Sequence, residues 1–70
     1  MNYKELKIKE DFIKLDSALK FSSLVPTGGS AIMVILDGRV SVNGEVCLQR
    51  GKKLYKGDKV EYDGQGFQIL

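Results

Sequence analysis

The sequence has no histidine and a single cysteine, Cys47. Without histidine the commonest general base near neutral pH is missing, and the aspartates are spread over predicted helix starts and turns. One cysteine excludes an internal disulfide, and no cluster of residues has the spacing of zinc ligands. Cys47 lies between Val46 and Leu48 without an obvious thiolate-stabilising partner, which indicates a small strand residue. The composition therefore argues against an enzyme, and we expect no metal and no cofactor.

Long hydrophobic runs are missing as well. The longest run, residues 31–36, is far too short to cross a bilayer, and residues 1–11 lack the apolar core of a secretory signal. Seventy residues make one domain, residues 1–70, whose small core contributes only ~3–5 kcal/mol of stability and leaves no room for a deep catalytic cleft. We therefore expect a cytoplasmic protein that binds a partner and catalyses no reaction.

Charge is present in an uneven distribution. The whole chain carries a net charge of only +2, whereas residues 49–59 contain five basic residues and one acid. A polyanion responds to such a local field and not to the total charge, so this segment is a candidate phosphate-binding face. The alternative is a solvated loop, and the sequence supports the two interpretations about equally. The basic residues are Arg50, Lys52, Lys53, Lys56 and Lys59.

Apolar spacing predicts one short strand followed by two helices. Leu6 and Ile8 alternate with lysines, which is typical of a half-buried strand, and from Phe12 onwards apolar residues recur at offsets of three and four, which indicates a helix. A second helix is predicted over residues 27–37, with Thr27 as its N-cap and Gly38 in a left-handed C-terminal cap. The alternative for residues 32–35 is a buried strand, and the cap residues favour the helix.

The remaining sequence has β character. Asn43 and Gly44 between two alternating segments, residues 39–42 and 45–48, predict a hairpin with a type I′ turn. Further alternating segments lie around residues 60–62 and 67–69. The expected fold class is α+β, with two short N-terminal helices packed on a small, mostly antiparallel sheet of about four to five strands.

The order of these motifs resembles a known family. The pattern consists of IKLDSALKF, TGGSA, a helix ending in DGRVSVNGEV, and a basic stretch ending in KGDKVEY. Over roughly residues 14–62 it resembles the RNA-binding domain named after ribosomal small-subunit protein S4. That domain contains an αL motif. The small stand-alone bacterial members, the YaaA-like group, share the Thr-Gly-Gly helix entry. The resemblance implies a ribosome-associated or translation-associated accessory factor that binds structured RNA, either rRNA or tRNA.

The same resemblance implies where RNA is contacted. In the family, contacts lie on the first residues of the two helices and on basic residues after the hairpin. Lys14 stands where the family usually has arginine, so a point charge replaces a bidentate fork, and Lys20 lies about 120° around the helix from it. The implied RNA-binding residues are Lys14, Lys20, Thr27, Gly28, Gly29, Arg50, Lys52 and Lys53.

The start of the second helix has a physical reason to bind phosphate. Backbone N–H groups at a helix N-terminus are unsatisfied and carry the positive end of the dipole, and Gly28 and Gly29 place no side chain in front of them. Most family members have Ser-Arg here, so contact would come from the backbone. The alternative is that the glycines only permit a tight turn after Pro26.

Aromatic residues are few, three tyrosines and three phenylalanines. They do not form the paired surface pattern that stacks single-stranded bases, and most fall at predicted core-facing positions. Tyr55, inside the basic run, is the exception; it either stacks on a base or packs beneath the loop. We therefore expect recognition of RNA by shape and phosphate, with little base specificity.

The second helix carries two apolar stripes. Ala31, Val34 and Ile35 match the buried face of the family, whereas the other stripe stands where the family has polar residues. Only one stripe can face so small a core, so the second is predicted to be partly exposed and to dock a protein partner or a second copy of the chain. The alternative is that residues 3–8 or the terminal strand cover it. This stripe, Ile32, Met33 and Leu36, also supports an alternative function as a protein-interaction module.

Overall fold

A computed structural model describes residues 3–70. Its helices are α1 (Leu15–Phe21) and α2 (Gly28–Leu36), and its strands are β1 (Tyr3–Leu6), β2 (Ile13–Lys14), β3 (Val40–Val42), β4 (Glu45–Val46), β5 (Lys53–Leu54), β6 (Lys59–Tyr62) and β7 (Gln65–Ile69). The expected small α+β fold, with two helices and a mostly antiparallel sheet, is confirmed. The N-terminal placement of the helices is not confirmed, because two strands precede them: β1, which the sequence predicted as a short strand, and β2, which it did not predict.

The main sheet has five strands in the order β1-β7-β6-β3-β4. Strand β1 pairs in parallel with β7, and the other neighbours are antiparallel. Backbone hydrogen bonds extend the β1–β7 pairing, since Leu70 N donates to Leu6 O at 2.9 Å and Ile8 N donates to Leu70 O at 3.2 Å. The first strand is therefore held by the last one. A separate two-stranded sheet joins β2 and β5.

Both helices form for the local reasons that the sequence predicted. In α1, Leu15, Ala18 and Leu19 are fully buried. In α2 the Oγ1 atom of Thr27 accepts a hydrogen bond from Ser30 N at 3.0 Å, which is an N-cap. The helix ends before Gly38, whose φ of +76° is the left-handed conformation that glycine adopts without strain. Residues 32–35 are therefore helical.

The core lies between the two helices and the main sheet. Val42, Val60 and Phe67 are paired across β3, β6 and β7, and all three are buried, so they form one apolar row. Ala31, Val34 and Ile35 of α2 are buried in the same cluster. In residues 3–70, neither helix is long and apolar enough to cross a membrane.

Two tight turns determine the strand register. Asn43 and Gly44 have φ angles of +52° and +87°, as the predicted type I′ hairpin requires. Asp63 and Gly64, with φ of +53° and +77°, repeat this arrangement between β6 and β7. Because side chains alternate along a strand, these turns determine which residues of each strand face the core.

Candidate nucleic-acid interface

The two-stranded sheet brings lysines together from distant parts of the chain. Lys14 of β2 is directly opposite Lys53 of β5, and both side chains are exposed. Like charges that face each other across two strands destabilise the pairing. The pairing therefore places two like charges on neighbouring strands, where an anion bound by both side chains would offset their repulsion.

The loop before β5 is attached to the start of α1. Leu15 N donates to Lys52 O at 2.9 Å, and Asp16 N donates to Arg50 O at 3.1 Å. These carbonyls satisfy two of the donors that every helix N-terminus leaves unpaired, and the Oδ1 atom of Asp16 accepts from Ser17 N at 2.7 Å. The first backbone donors of α1 are therefore already paired, which leaves side chains as the groups free to contact an anion there.

These contacts define a basic cluster, which consists of Lys14, Arg50, Lys52 and Lys53. All four side chains are exposed, and their backbones are joined by the β2–β5 pairing and by the loop attached to α1. Lys20 is exposed in the last turn of α1, about 9 Å further along the helix axis than Lys14. Four of the eight sequence-predicted contacts therefore share one surface, and Lys20 lies at the other end of α1.

Aromatic rings lie beside the basic cluster. The Nζ atom of Lys53 is 4.8 Å from the ring centroid of Phe12, a cation–π contact, and Phe12 is 6.2 Å from Tyr55 at a tilt of 52°. Tyr55 packs against Phe12 and is nevertheless 50% exposed. The prediction that most aromatic residues face the core is wrong: Phe67 is fully buried, whereas Phe21 is 64% exposed. The segments around them are too short for periodicity to define a face.

The start of α2 has the properties expected of an anion site. Neither Gly28 nor Gly29 has a positive φ, and a Cβ atom added to Gly28 would meet nothing within 4 Å. A turn does not require glycine at these positions. Among residues 3–70 the amides of Gly28 and Gly29 have no hydrogen-bond acceptor, while the side chain of Thr27 caps Ser30 N. Two backbone donors therefore remain available.

Asn43 has a role beyond its turn that the sequence did not indicate. Its Oδ1 atom accepts from Lys59 N at 2.9 Å, and its Nδ2 atom donates to the Oδ1 atom of Asp58 at 3.0 Å. The Oδ2 atom of Asp58 accepts from Tyr55 N at 2.8 Å. The hairpin tip thus holds the loop that carries Tyr55. Only the fold brings these residues together, since Asp58 and Lys59 lie 15 and 16 positions after Asn43 in the chain.

The second stripe of α2 is accessible. Met33 is 67% exposed and Leu36 is 61% exposed, and Ile32 is half-buried. Val46 and Leu48, also exposed, approach this end of the helix, because both side chains lie within 4 Å of the position of a Cβ atom on Gly38. The α2 patch, defined as Ile32, Met33, Leu36, Val46 and Leu48, is therefore an apolar surface.

Comparison with known proteins agrees with the sequence resemblance. A family model described as S4 domain matches residues 6–70. A curated relative, the probable ribosome maturation protein RlbA of Bacillus subtilis (strain 168), is 38% identical over 66 residues, which cover 93% of each chain. The solution structure of YbcJ from E. coli, described as revealing an αL motif involved in RNA-binding, has a TM-score of 0.76 and 25% identity, covering all of this chain and 90% of that one. By the extent of the family match and of the related sequence, the chain belongs to the S4 domain family.

Proposed function

We propose that the chain acts as one cytoplasmic domain that binds structured RNA, either rRNA or tRNA, as a ribosome-associated accessory factor. Two similar proteins support this proposal, since the B. subtilis relative is named for ribosome maturation and the E. coli structure is described as containing a motif involved in RNA-binding. Composition and fold favour binding over catalysis. In residues 3–70 no group of three or more histidine, cysteine, aspartate or glutamate residues is positioned to hold a metal ion.

The basic cluster is the observation that carries the proposal. Lys14 and Lys53 face each other with the same charge, and backbone hydrogen bonds hold Arg50 and Lys52 beside them. A folded RNA presents phosphates at regular spacing, so a rigid set of cations gains more than a flexible tail would. Lys20 contacts the same RNA only if the RNA backbone wraps around α1.

Nucleic acid content and salt dependence test the proposed function directly. The protein purified at low salt is expected to carry RNA, detected as excess absorbance at 260 nm, and to release it at high salt, because phosphate contacts displace counterions. Fluorescence anisotropy with rRNA fragments and with tRNA then measures the affinity of the RNA-free protein. Absence of binding to both RNAs at low salt would contradict the proposal.

The start of α2 forms a second part of the proposed RNA surface, through Thr27 and the amides of Gly28 and Gly29. Gly28→Glu is expected to keep or slightly raise the free energy of unfolding, because the site is open and a carboxylate near a helix start is favourable by about 0.3–1 kcal/mol. The same carboxylate is expected to repel phosphate and lower RNA affinity. Chemical denaturation and anisotropy measure the two effects separately.

Gly28→Gln is the matched control for this prediction, since it adds a side chain of the same size without charge. It is expected to bind RNA more tightly than Gly28→Glu. Equal losses of affinity in both variants would mean that bulk alone blocks the site. If Gly28→Glu lost stability in step with affinity, the glycine would serve the local turn, and the anion role would fail.

The α2 patch favours a second candidate function, docking of a protein partner or a second copy of the chain. Burial of its exposed apolar side chains against a partner lowers the free energy, because apolar surface is removed from water. If the patch joins two copies, sedimentation of the wild type is expected to show a dimer, and Met33→Lys with Leu36→Gln is expected to give a monomer of unchanged stability. A strictly monomeric wild type would leave only a different protein as the partner.

A further inference from the structure

A groove of about 470 Å³ lies beside the basic cluster. It is lined by residues 6–10, from the end of β1 into the segment that follows, by residues 12–14, and by Ser17 and Phe21 of α1. Its size is within the range of about 300–1,000 Å³ that is typical of sites for small organic ligands. The groove is open, so a unit of a longer chain can enter it from the side.

The lining of the groove combines cations with aromatic rings. Lys7, Lys9 and Lys14 line it and are exposed, against a single carboxylate from Glu10. Phe21 is 64% exposed although it lies on a helix whose other apolar residues are buried, so its ring is available to a ligand. Phosphate groups bind to lysine side chains, and the face of a nucleobase stacks on an aromatic ring.

We infer that this groove holds an unpaired nucleotide of the RNA bound by the basic cluster, with its base against Phe21 and the flanking phosphates near Lys7 and Lys9. This inference rests on the proposed function. Lys14 belongs both to the basic cluster and to the groove, so one RNA strand reaches both. The excess of positive charge in the groove disfavours a basic or uncharged peptide as the occupant. A surface that contacts only phosphates makes no contact with a base, and stacking on the ring of Phe21 supplies one.

The inference changes the expected mode of recognition. The sequence suggested binding by shape and phosphate alone, because no aromatic pair was evident. A nucleotide in the groove instead favours RNA with a bulge or loop next to a helical stem, since such nucleotides are already unstacked. Base identity contributes little, because every base offers a π-face.

Two RNA hairpins, one with a plain stem and one with a bulge of three adenosines in the same stem, test the inference by fluorescence anisotropy. The wild type is expected to prefer the bulged RNA by about tenfold, the usual size of one base–aromatic contact. Phe21→Ala is expected to abolish this preference and to leave affinity for the plain stem unchanged. Met33→Ala, which truncates an equally exposed side chain in the α2 patch, is the matched control and is expected to keep the preference.

The possible outcomes separate the inference from the proposed function. If the wild type binds both RNAs equally, or if Phe21→Ala and Met33→Ala behave alike, the groove inference is overturned and the proposed function stands. If the wild type binds neither these hairpins nor rRNA nor tRNA, both fail. Ring NMR signals give an independent measurement: on addition of the bulged RNA those of Phe21 are expected to shift, whereas those of the buried Phe67 stay in place. Unshifted Phe21 signals in the saturated complex would also overturn the inference.

Discussion

RNA affinity is expected to fall by about 100-fold at 0.1 M salt when Arg50, Lys52 and Lys53 are replaced together by alanine. Each phosphate contact contributes about −0.7 to −0.9 to the slope of log affinity against log salt, so removing three contacts flattens the slope by about two units. A slope that is flatter by two units changes the affinity by about 100-fold for each tenfold change in salt concentration, which is the expected loss. Anisotropy titrations with rRNA or tRNA over a salt series measure the slope and the affinity together.

The triple variant is expected to fold. Its three side chains are exposed, and the carbonyls of Arg50 and Lys52 that cap α1 belong to the backbone. Circular dichroism checks this expectation. The control, Lys4→Ala with Arg39→Ala and Lys59→Ala, removes the same charge from exposed positions outside the basic cluster, with Lys59 the one taken from the basic segment 49–59. Because Lys4 donates to Ser22 O and the other two lie over the rings of Tyr62 and Tyr3, circular dichroism checks the fold of the control as well. An equal flattening of the slope in the control would mean that the total charge, and not the cluster, determines RNA binding.

The largest expected effect on stability comes from Gly66→Ala. A Cβ atom at Gly66 would lie 2.6 Å from the carbonyl oxygen of Val60 and 2.8 Å from the ring of Tyr3, so backbone has to move. Overpacking of this kind costs about 1–3 kcal/mol, a large part of the ~3–5 kcal/mol available to a domain of this size. Urea denaturation is expected to show a midpoint lowered in proportion, without a comparable change in the denaturant slope.

Gly28→Ala is the control for the effect of adding a methyl group to a glycine. Nothing lies within 4 Å of the new atom, and Gly28 has no positive φ, so this variant is expected to be as stable as the wild type or slightly more stable. A Gly66→Ala protein as stable as Gly28→Ala would show that β7 and Tyr3 adjust without cost. The Tyr3 ring that meets the new atom is 40% exposed and lies 5.5 Å from the Nζ atom of Lys59, a cation–π contact. Partial desolvation raises the pKa of the Tyr3 hydroxyl, and the nearby Glu61 carboxylate raises it further.

Local features of the fold were predictable because their causes are local. The N-cap at Thr27, the left-handed Gly38 and the turn at Asn43 and Gly44 each depend on a few adjacent residues, and the structure confirms them. Helical periodicity left two apolar stripes on α2, and the family resemblance indicated which of them is buried; the structure confirms that choice, since Ala31, Val34 and Ile35 are buried. The family resemblance rested on the order of these local motifs over roughly residues 14–62, and the family model confirms the family over residues 6–70.

The candidate site was predictable only in part. The basic residues of the loop were evident from their charge, and Lys14 was implied by the family resemblance, in which an arginine usually stands before Leu-Asp. That these residues share one surface is a result of the pairing of β2 with β5, strands of two residues each that carry no periodic signal. Phe12 and Phe21 were missed as surface groups for a related reason, because a short segment does not define which side faces the core.

The sequence by itself determined the helices, the turns, the charge distribution and the family, since each follows from neighbouring residues or from their order. Only the tertiary structure decided that β1 lies beside β7, that Asn43 holds the loop around Asp58, and that Phe21 opens into a groove shared with Lys14. These contacts join residues far apart in the chain. They form because the helices and strands have to bury one common core and satisfy their backbone hydrogen bonds at the same time. No local sequence pattern encodes the arrangement that meets both requirements.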